Sequence, residues 1–213
     1  MKKTLTVLMV LLFAMLVLTF AVSCNPEQKK TVKIGDVIEL GTYPTEAGET
    51  YAGKPITWKV LEVDGSKALV ISEKILTKKA NTNGSVYKWS TSPIRSWLNS
   101  TEDTGFISQY GLGSVSIVEV SNTTEEGHSS QPEETTTDRV FLLSVTELDT
   151  YSVGDAYYFD GSDDVYWWLR TPCKNNAESD CYCVYPADAG DGGHTNQPTS
   201  SDNGVRPAFW INL

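Results

Sequence analysis

Histidine is nearly absent from this chain, with only His128 and His194 in 213 residues. The commonest general base and metal-ligating side chain therefore has two places to act. His128 lies in a polar stretch and reads as solvated, and His194 has no GxSxG or comparable nucleophile motif beside it. Basic residues are also scarce, 17 against 27 acidic, for a formal net charge of −10. Removal of Lys2 and Lys3 with a leader would make the remainder still more acidic. That balance excludes nucleic acid, whose binders concentrate Lys and Arg. Carboxylates abound, but Asp163-Asp164 and the Asp188/Asp191 pair read as solvated turns rather than an acid–base pair. Cysteine is limited to four residues, with no CxxC knuckle of the kind that marks a zinc site. Long helical periods are few, while six Trp, ten Tyr and many Gly, Ser, Thr and Asn point to a strand- and loop-rich fold. The sequence thus argues for a binding module rather than an enzyme.

The N-terminus carries an export signal. Lys2 and Lys3 precede the uncharged apolar stretch Leu5–Val22, and Ala21-Val22-Ser23-Cys24 closes it. A charged start, an apolar run and small residues at the cut describe a secretory leader over residues 1–23. The small residues before Cys24 resemble a bacterial lipobox, which implies a diacylglyceryl lipid on Cys24 as the first residue after cleavage. The alternative is an uncleaved anchor, since Leu5–Val22 approaches the roughly 20 residues of a membrane-crossing helix. Residues 24–31 read as a short polar tether, and residues 32–213 as a single domain. The expected location is the cell envelope, lipid-anchored and facing away from the cytoplasm, at the outer membrane or cell surface. The link to the membrane is expected through the lipid alone, because an acidic chain is repelled by an anionic surface.

With Cys24 lipidated, Cys173, Cys181 and Cys183 remain. In an oxidising compartment one disulfide and one spare thiol are expected. Cys173 could close a small loop with Cys181 or with Cys183, and Cys173–Cys183 is the pair carried forward. Three thiolates with His194 would suit zinc by ligand type, yet the spacing does not support it, and no metal site is assigned.

Along the chain, Thr31–Leu40 reads as one or two short strands. Pro55–Val63 and Ala68–Ser72 flank Asp64-Gly65-Ser66, a hairpin signal. Ser92-Pro93 opens a helix with Ser92 as N-cap and Pro93 at N1, and Ile94, Trp97 and Leu98 share one face. Arg139–Leu143 reads as a buried strand, followed by the capping box Ser144-Val145-Thr146-Glu147. Residues 121–137 are polar and read as a surface loop. Tyr166–Arg170 is an aromatic strand, residues 171–203 an irregular insert, and Gly204–Ile211 a terminal strand. Trp58, Trp97, Trp167, Trp168 and Trp210 are expected in the core. Arg170 and Arg206 are expected to bind backbone carbonyls or an acidic partner such as Asp138.

Six of these segments, in order, resemble the DUF6273-type domain over about residues 33 to 213. They are Gly41-Thr42-Tyr43-Pro44, Pro55–Leu61, Ser92–Asn99, Thr137–Ser144, Trp167–Pro172 and Gly204–Ala208. The ending is similar to C-type-lectin-like and formylglycine-generating-enzyme-like folds, which implies an α+β fold of antiparallel strands with two or so short helices and long loops. The active-site cysteine pair of the latter group cannot be aligned to Cys181 and Cys183, so that activity is not carried over. The resemblance also implies a display region at residues 171–204, in some such proteins a target of diversity-generating retroelements. Asn175, Asn176, Ser179, Asp180, Tyr182, Tyr185, Asp188, Asp191, His194 and Asn196 have the composition of such a face.

The expected function is recognition of a protein or glycan through that region, with Asn175, Asn176, Asp180, Tyr182, Tyr185, Asp188, Asp191, His194 and Asn196 as contacts. Calcium is the cofactor such folds often use; Asp180, Asp188, Asp191, Asp202 and Asn203 would supply its oxygens, although no EF-hand spacing is present. The alternatives are a structural or assembly lipoprotein of the envelope and, behind it, an unrecognised hydrolase.

Overall fold

Alternating residues set the first sheet. In Ile56-Thr57-Trp58-Lys59-Val60, Ile56, Trp58 and Val60 are fully buried while Thr57 and Lys59 are half-exposed, the period of a strand with one face on a core. The computed structural model describes residues 31–82, 87–124, 134–154, 156–161, 165–173, 180–185 and 193–213. Cys24 and the expected leader and tether up to residue 30 lie outside them. Residues Val32–Leu213 form one compact unit, mostly antiparallel sheet with a few short helices.

The first sheet has the order β1 (Val37–Thr42), β2 (Pro55–Asp64), β3 (Lys67–Ser72), β12 (Ala208–Asn212), β5 (Ile117–Val118). Asp64 pairs with Lys67 around Gly65-Ser66, the expected hairpin. The register slips between Val60 and Glu62. Leu61 is the extra residue, and it is buried along with Val60, as a bulge allows.

The second sheet has the order β10 (His194–Pro198), β9 (Asp180–Val184), β8 (Trp167–Pro172), β11 (Asn203–Val205), β4 (Thr77–Lys79). Every residue of β8 is buried, as in a central strand covered on both faces. Its pairing with β11 is parallel, Gly204 against Trp167, while β9 and β4 pair antiparallel with their neighbours. A Cβ on Gly204 would lie 2.6 Å from Ile75 Cγ2 and 3.1 Å from Trp167 Cβ, so only glycine fits between those side chains. A small ribbon pairs β6 (Val120–Thr123) with β7 (Thr135–Asp138). Of three short α-helices among the described residues, α1 (Pro93–Asn99), α2 (Phe106–Gln109) and α3 (Val145–Thr150), the first and third follow caps read from the sequence, and α2 has no side-chain cap. Ser92 Oγ accepts from Arg95 N at 3.1 Å, and Ser144 and Glu147 form the reciprocal capping box.

Four expectations about strands and loops change. The terminal Gly204–Ile211 segment is two strands in two sheets, parted at Arg206-Pro207. Pro207 has no N–H to give a ladder, its carbonyl accepts from Ser72 N, and Arg206 donates to Ser72 O at 2.8 Å and Gly154 O at 2.9 Å. Arg139–Leu143 is buried from Val140 onward but makes only a bridge, Phe141 with Ala208. Several of its other backbone groups are taken by side chains: Asn99 Oδ1 accepts from Arg139 N and Val140 N, and Arg170 Nη1 donates to Leu142 O, while Leu143 O accepts from Arg170 N. At the two ends of 121–137, β6 and β7 pair where a loop was expected, and residues 125–133 lie outside the described residues. Within 171–203, β9 and β10 form a hairpin where an irregular insert was expected.

Arg170 meets Glu147 rather than Asp138, with Nη2 donating to Glu147 Oε1 at 2.9 Å and Nη1 contacting Oε2. Asp138 instead pairs with Arg95, Nε to Oδ1 at 2.6 Å. Trp58, Trp167 and Trp168 are fully buried as expected, whereas Trp97 and Trp210 are half-buried and packed on the core.

The display face of the β9–β10 hairpin

The hairpin's register decides which side chains meet. Tyr182 pairs with Asn196 and Val184 with His194, whereas Cys181 pairs with Gln197 and Cys183 with Thr195. Directly paired residues share a face, so Tyr182, His194 and Asn196 stand together on one side of the hairpin. Cys181 and Cys183, two residues apart in β9, stand on the other and are fully buried. Tyr182 and His194 are half-buried and Asn196 is exposed. The Tyr182 and His194 rings meet edge-on, with centroids 5.3 Å apart at 78°. This is the diagonal cross-strand contact that aromatic side chains can span.

Tyr185, just past β9, lies half-buried with its ring 5.8 Å from that of Tyr166, just before β8. Tyr166 was not among the expected contacts, although an aromatic at the mouth of an aromatic strand is a signal that could have found it. Of the nine expected contact residues, four are therefore positioned with their side chains: Tyr182, Tyr185, His194 and Asn196. Asp180 is placed by its backbone at the start of β9, opposite Pro198. Asn175, Asn176, Asp188 and Asp191 lie outside the described residues.

The buried side of the hairpin is locked to the core. Trp168 sits opposite Cys183, and its indole N–H donates to Lys79 O at 2.8 Å. The register breaks between Trp168 and Pro172, where Cys181 Sγ donates to Leu169 O at 3.1 Å and Thr171 O at 3.5 Å. Burial pushes the Cys181 thiol well above its ordinary range, and the neighbouring thiols of Cys183 and Cys173 add to the effect. Burial, with Cys173 second, does the same to Cys183. Cys173, Cys181 and Cys183 are all buried free thiols, where a Cys173–Cys183 bridge was expected. They pack as small apolar side chains, with Cys181 further held by the two carbonyls of the bulge.

Among the described residues no group of three or more His, Cys, Asp or Glu is arranged to hold a metal ion. Of the oxygens considered for calcium, Asn203 is buried in β11 and Asp202 precedes it. Also among the described residues, no helix is long and apolar enough to cross a membrane.

Residues 65–213 match the family model of a domain of unknown function, DUF6273. Neither the curated proteins nor the solved structures contain a match to the chain. The family match opens at Gly65, the turn of the β2–β3 hairpin, so β1 and β2 precede it. Yet β2 supplies Ile56, Trp58 and Val60 to the core, and the folded unit reaches back to Val32. The match takes in Arg95, Asn99, Asp138, Arg170, Gly204 and Arg206, the residues that join the sheets and helices, together with the whole display hairpin: the chain belongs to the DUF6273 family.

Proposed function

We propose that this protein is a lipid-anchored lipoprotein of the cell envelope that binds a protein or glycan through residues 171–204, on a C-type-lectin-like α+β scaffold. One observation carries the reading: Tyr182, His194 and Asn196 share an accessible face of a hairpin whose opposite side, Cys181 and Cys183, is buried in the core. A face of this kind combines rigid aromatic area with adaptable polar groups, the combination that paratopes use. Because the buried thiols fix the strand, little order has to be gained when a ligand docks. The residues flanking the display region, Trp167–Arg170 and Gly204–Arg206, are committed to packing and backbone hydrogen bonds. They leave the surface between them free to change without loss of the fold, which is what a diversified binding loop requires. Lipidation of Cys24 would hold this face at the envelope surface.

A glycan array and a panel of purified surface proteins, probed with the full chain in detergent, test the reading. The wild-type chain is expected to mark a restricted set of targets, and the combined Tyr182→Ala, His194→Ala, Asn196→Ala variant to lose them while keeping its thermal midpoint. Targets retained by the triple variant would move the site elsewhere.

A further inference from the structure

The display face occupies one side and one edge of the second sheet. At the other edge, β4 and helix α1 enclose an open groove of about 340 Å3, lined by Lys79, Pro93, Ile94, Trp97 and Asp202 among others. The groove and the display face lie at opposite edges of the sheet, β4 against β9 and β10, although Lys78, which also lines the groove, is on the side of Tyr182. Tyr182 shares its side of the sheet with Val184, which is opposite Trp167; Trp167 is in register with Gly204, and Gly204 with Lys78. Lys79 and its partner Asn203 therefore leave the sheet on the reverse side, with Trp168 and Cys183.

Charge and hydrogen-bond demand in and beside the groove are unbalanced. The Lys79 ammonium lies 4.4 Å from the centroid of the Trp97 ring, and no carboxylate among the described residues pairs with it, in a chain of net charge −10. Asp202 lines the same groove and likewise enters no ion pair among the described residues. Asn203, the cross-strand partner of Lys79 but not part of the groove lining, is only 6 % exposed, and its amide nitrogen meets no hydrogen-bond partner among the described residues. A buried donor of that kind calls for an acceptor. Trp97 satisfies its own N–H on Gln109 Oε1 at 3.2 Å, so its ring contributes apolar surface, continued by Ile94 and Pro93.

We infer that this groove is a second binding site, for a small ligand that carries a carboxylate beside hydroxyl groups, the chemistry of an acidic sugar. The carboxylate accepts from Lys79. A hydroxyl donates to Asp202, and the carbon skeleton lies on Trp97 and Ile94. A doubly charged phosphate suits the groove less well, because Asp202 repels its second charge and it offers a single O–H where a sugar offers several. The volume lies at the small end of ligand pockets, which favours a saccharide unit over a peptide.

The test is calorimetric titration of the full chain in detergent with glucuronate, galacturonate, glucose and inorganic phosphate. At least one uronate is expected to bind, with glucose at least tenfold weaker and phosphate weaker than the uronate. Lys79→Gln is expected to lower uronate affinity at least tenfold. Asp202→Asn, on the exposed rim, should lower it severalfold, and this variant decides the matter if Lys79→Gln does not fold. Tyr182→Ala should leave uronate binding unchanged, which separates this site from the display face. No uronate binding, equal binding of glucose, tighter binding of phosphate, or affinity unchanged in the folded Lys79 or Asp202 variant would each overturn the assignment.

Discussion

The Nε of Arg95 donates to Oδ1 of Asp138 at 2.6 Å, tying helix α1 to the end of β7 across 43 residues of sequence. Asp138 is 1 % exposed, and its other oxygen accepts from Trp89 Nε1 at 3.0 Å, Asn122 Nδ2 at 3.0 Å and Thr136 Oγ1 at 2.7 Å. A buried carboxylate with a cation and three further donors is satisfied, but removing it strands all four. Asp138→Ala is therefore expected to lower the unfolding free energy by about 3–5 kcal/mol, the usual cost of breaking a buried ion pair from one side. Urea unfolding measures it, and a loss below about 1 kcal/mol would show that water replaces the carboxylate.

Tyr43 gives a pH prediction. Burial, then the charges of Tyr51 and Glu73, push its phenol up from 10.0 to about 12. Between those values the unfolded chain gives up the proton and the folded chain keeps it. The stability this group contributes is thus complete below pH 10 and is lost as pH rises towards 12. Unfolding followed from pH 9 to 12 should show a fall in stability that is shallower in Tyr43→Phe. Identical slopes in the two proteins would contradict the burial of this phenol.

The thiols supply a third prediction. Cys181 and Cys183 are fully buried, and burial raises both thiols, so neither forms thiolate at pH 8. Iodoacetamide is expected to leave both unmodified in the native protein and to label them once guanidinium and a reductant are present, as read by peptide mass. Rapid labelling of either one in the native state would place that side of the hairpin in solvent.

The lipid reading of Cys24 has its own test. Cells fed an alkyne analogue of palmitate should label the wild-type chain and not Cys24→Ala, and the variant should leave the membrane fraction. Absence of label from both, with Cys24→Ala still in the membrane fraction, would return the N-terminus to the uncleaved-anchor alternative, and equal labelling of both would place the lipid on another residue.

How much of this was legible beforehand depended on how local each signal is. Asp64-Gly65 announces its hairpin, and Ser92-Pro93 and Ser144-Glu147 announce their helices, because turns and caps are decided within four residues. The partner of Asp138 was not legible: Arg95 and Arg170 offer the same guanidinium, and only the packing of α1 against β7 chooses between them. The β9–β10 hairpin is faint in the sequence because both sides of Asp180–Val184 and His194–Pro198 mix residue types, Tyr182 and Val184 beside His194 and Asn196, Cys181 and Cys183 beside Thr195 and Gln197, so the two-residue period is weak. The division at Arg206-Pro207 could have been read from the proline, which cannot donate within a ladder. Tyr182, His194 and Asn196 were chosen by residue type; that they share one face followed only from the register.

The most direct measurement for the central claim is sequencing of codons 166–213 in many sister copies of the gene, with the adjoining DNA. The account predicts substitutions concentrated at 173–203, above all at Tyr182, His194 and Asn196, with Trp167-Trp168-Leu169-Arg170, Cys181, Cys183 and Gly204-Val205-Arg206-Pro207 unchanged, and a near-identical template repeat nearby. Copies in which Tyr182, His194 and Asn196 are as constant as Cys181 and Cys183 would contradict a diversified display face and leave one fixed ligand or an assembly role in the envelope.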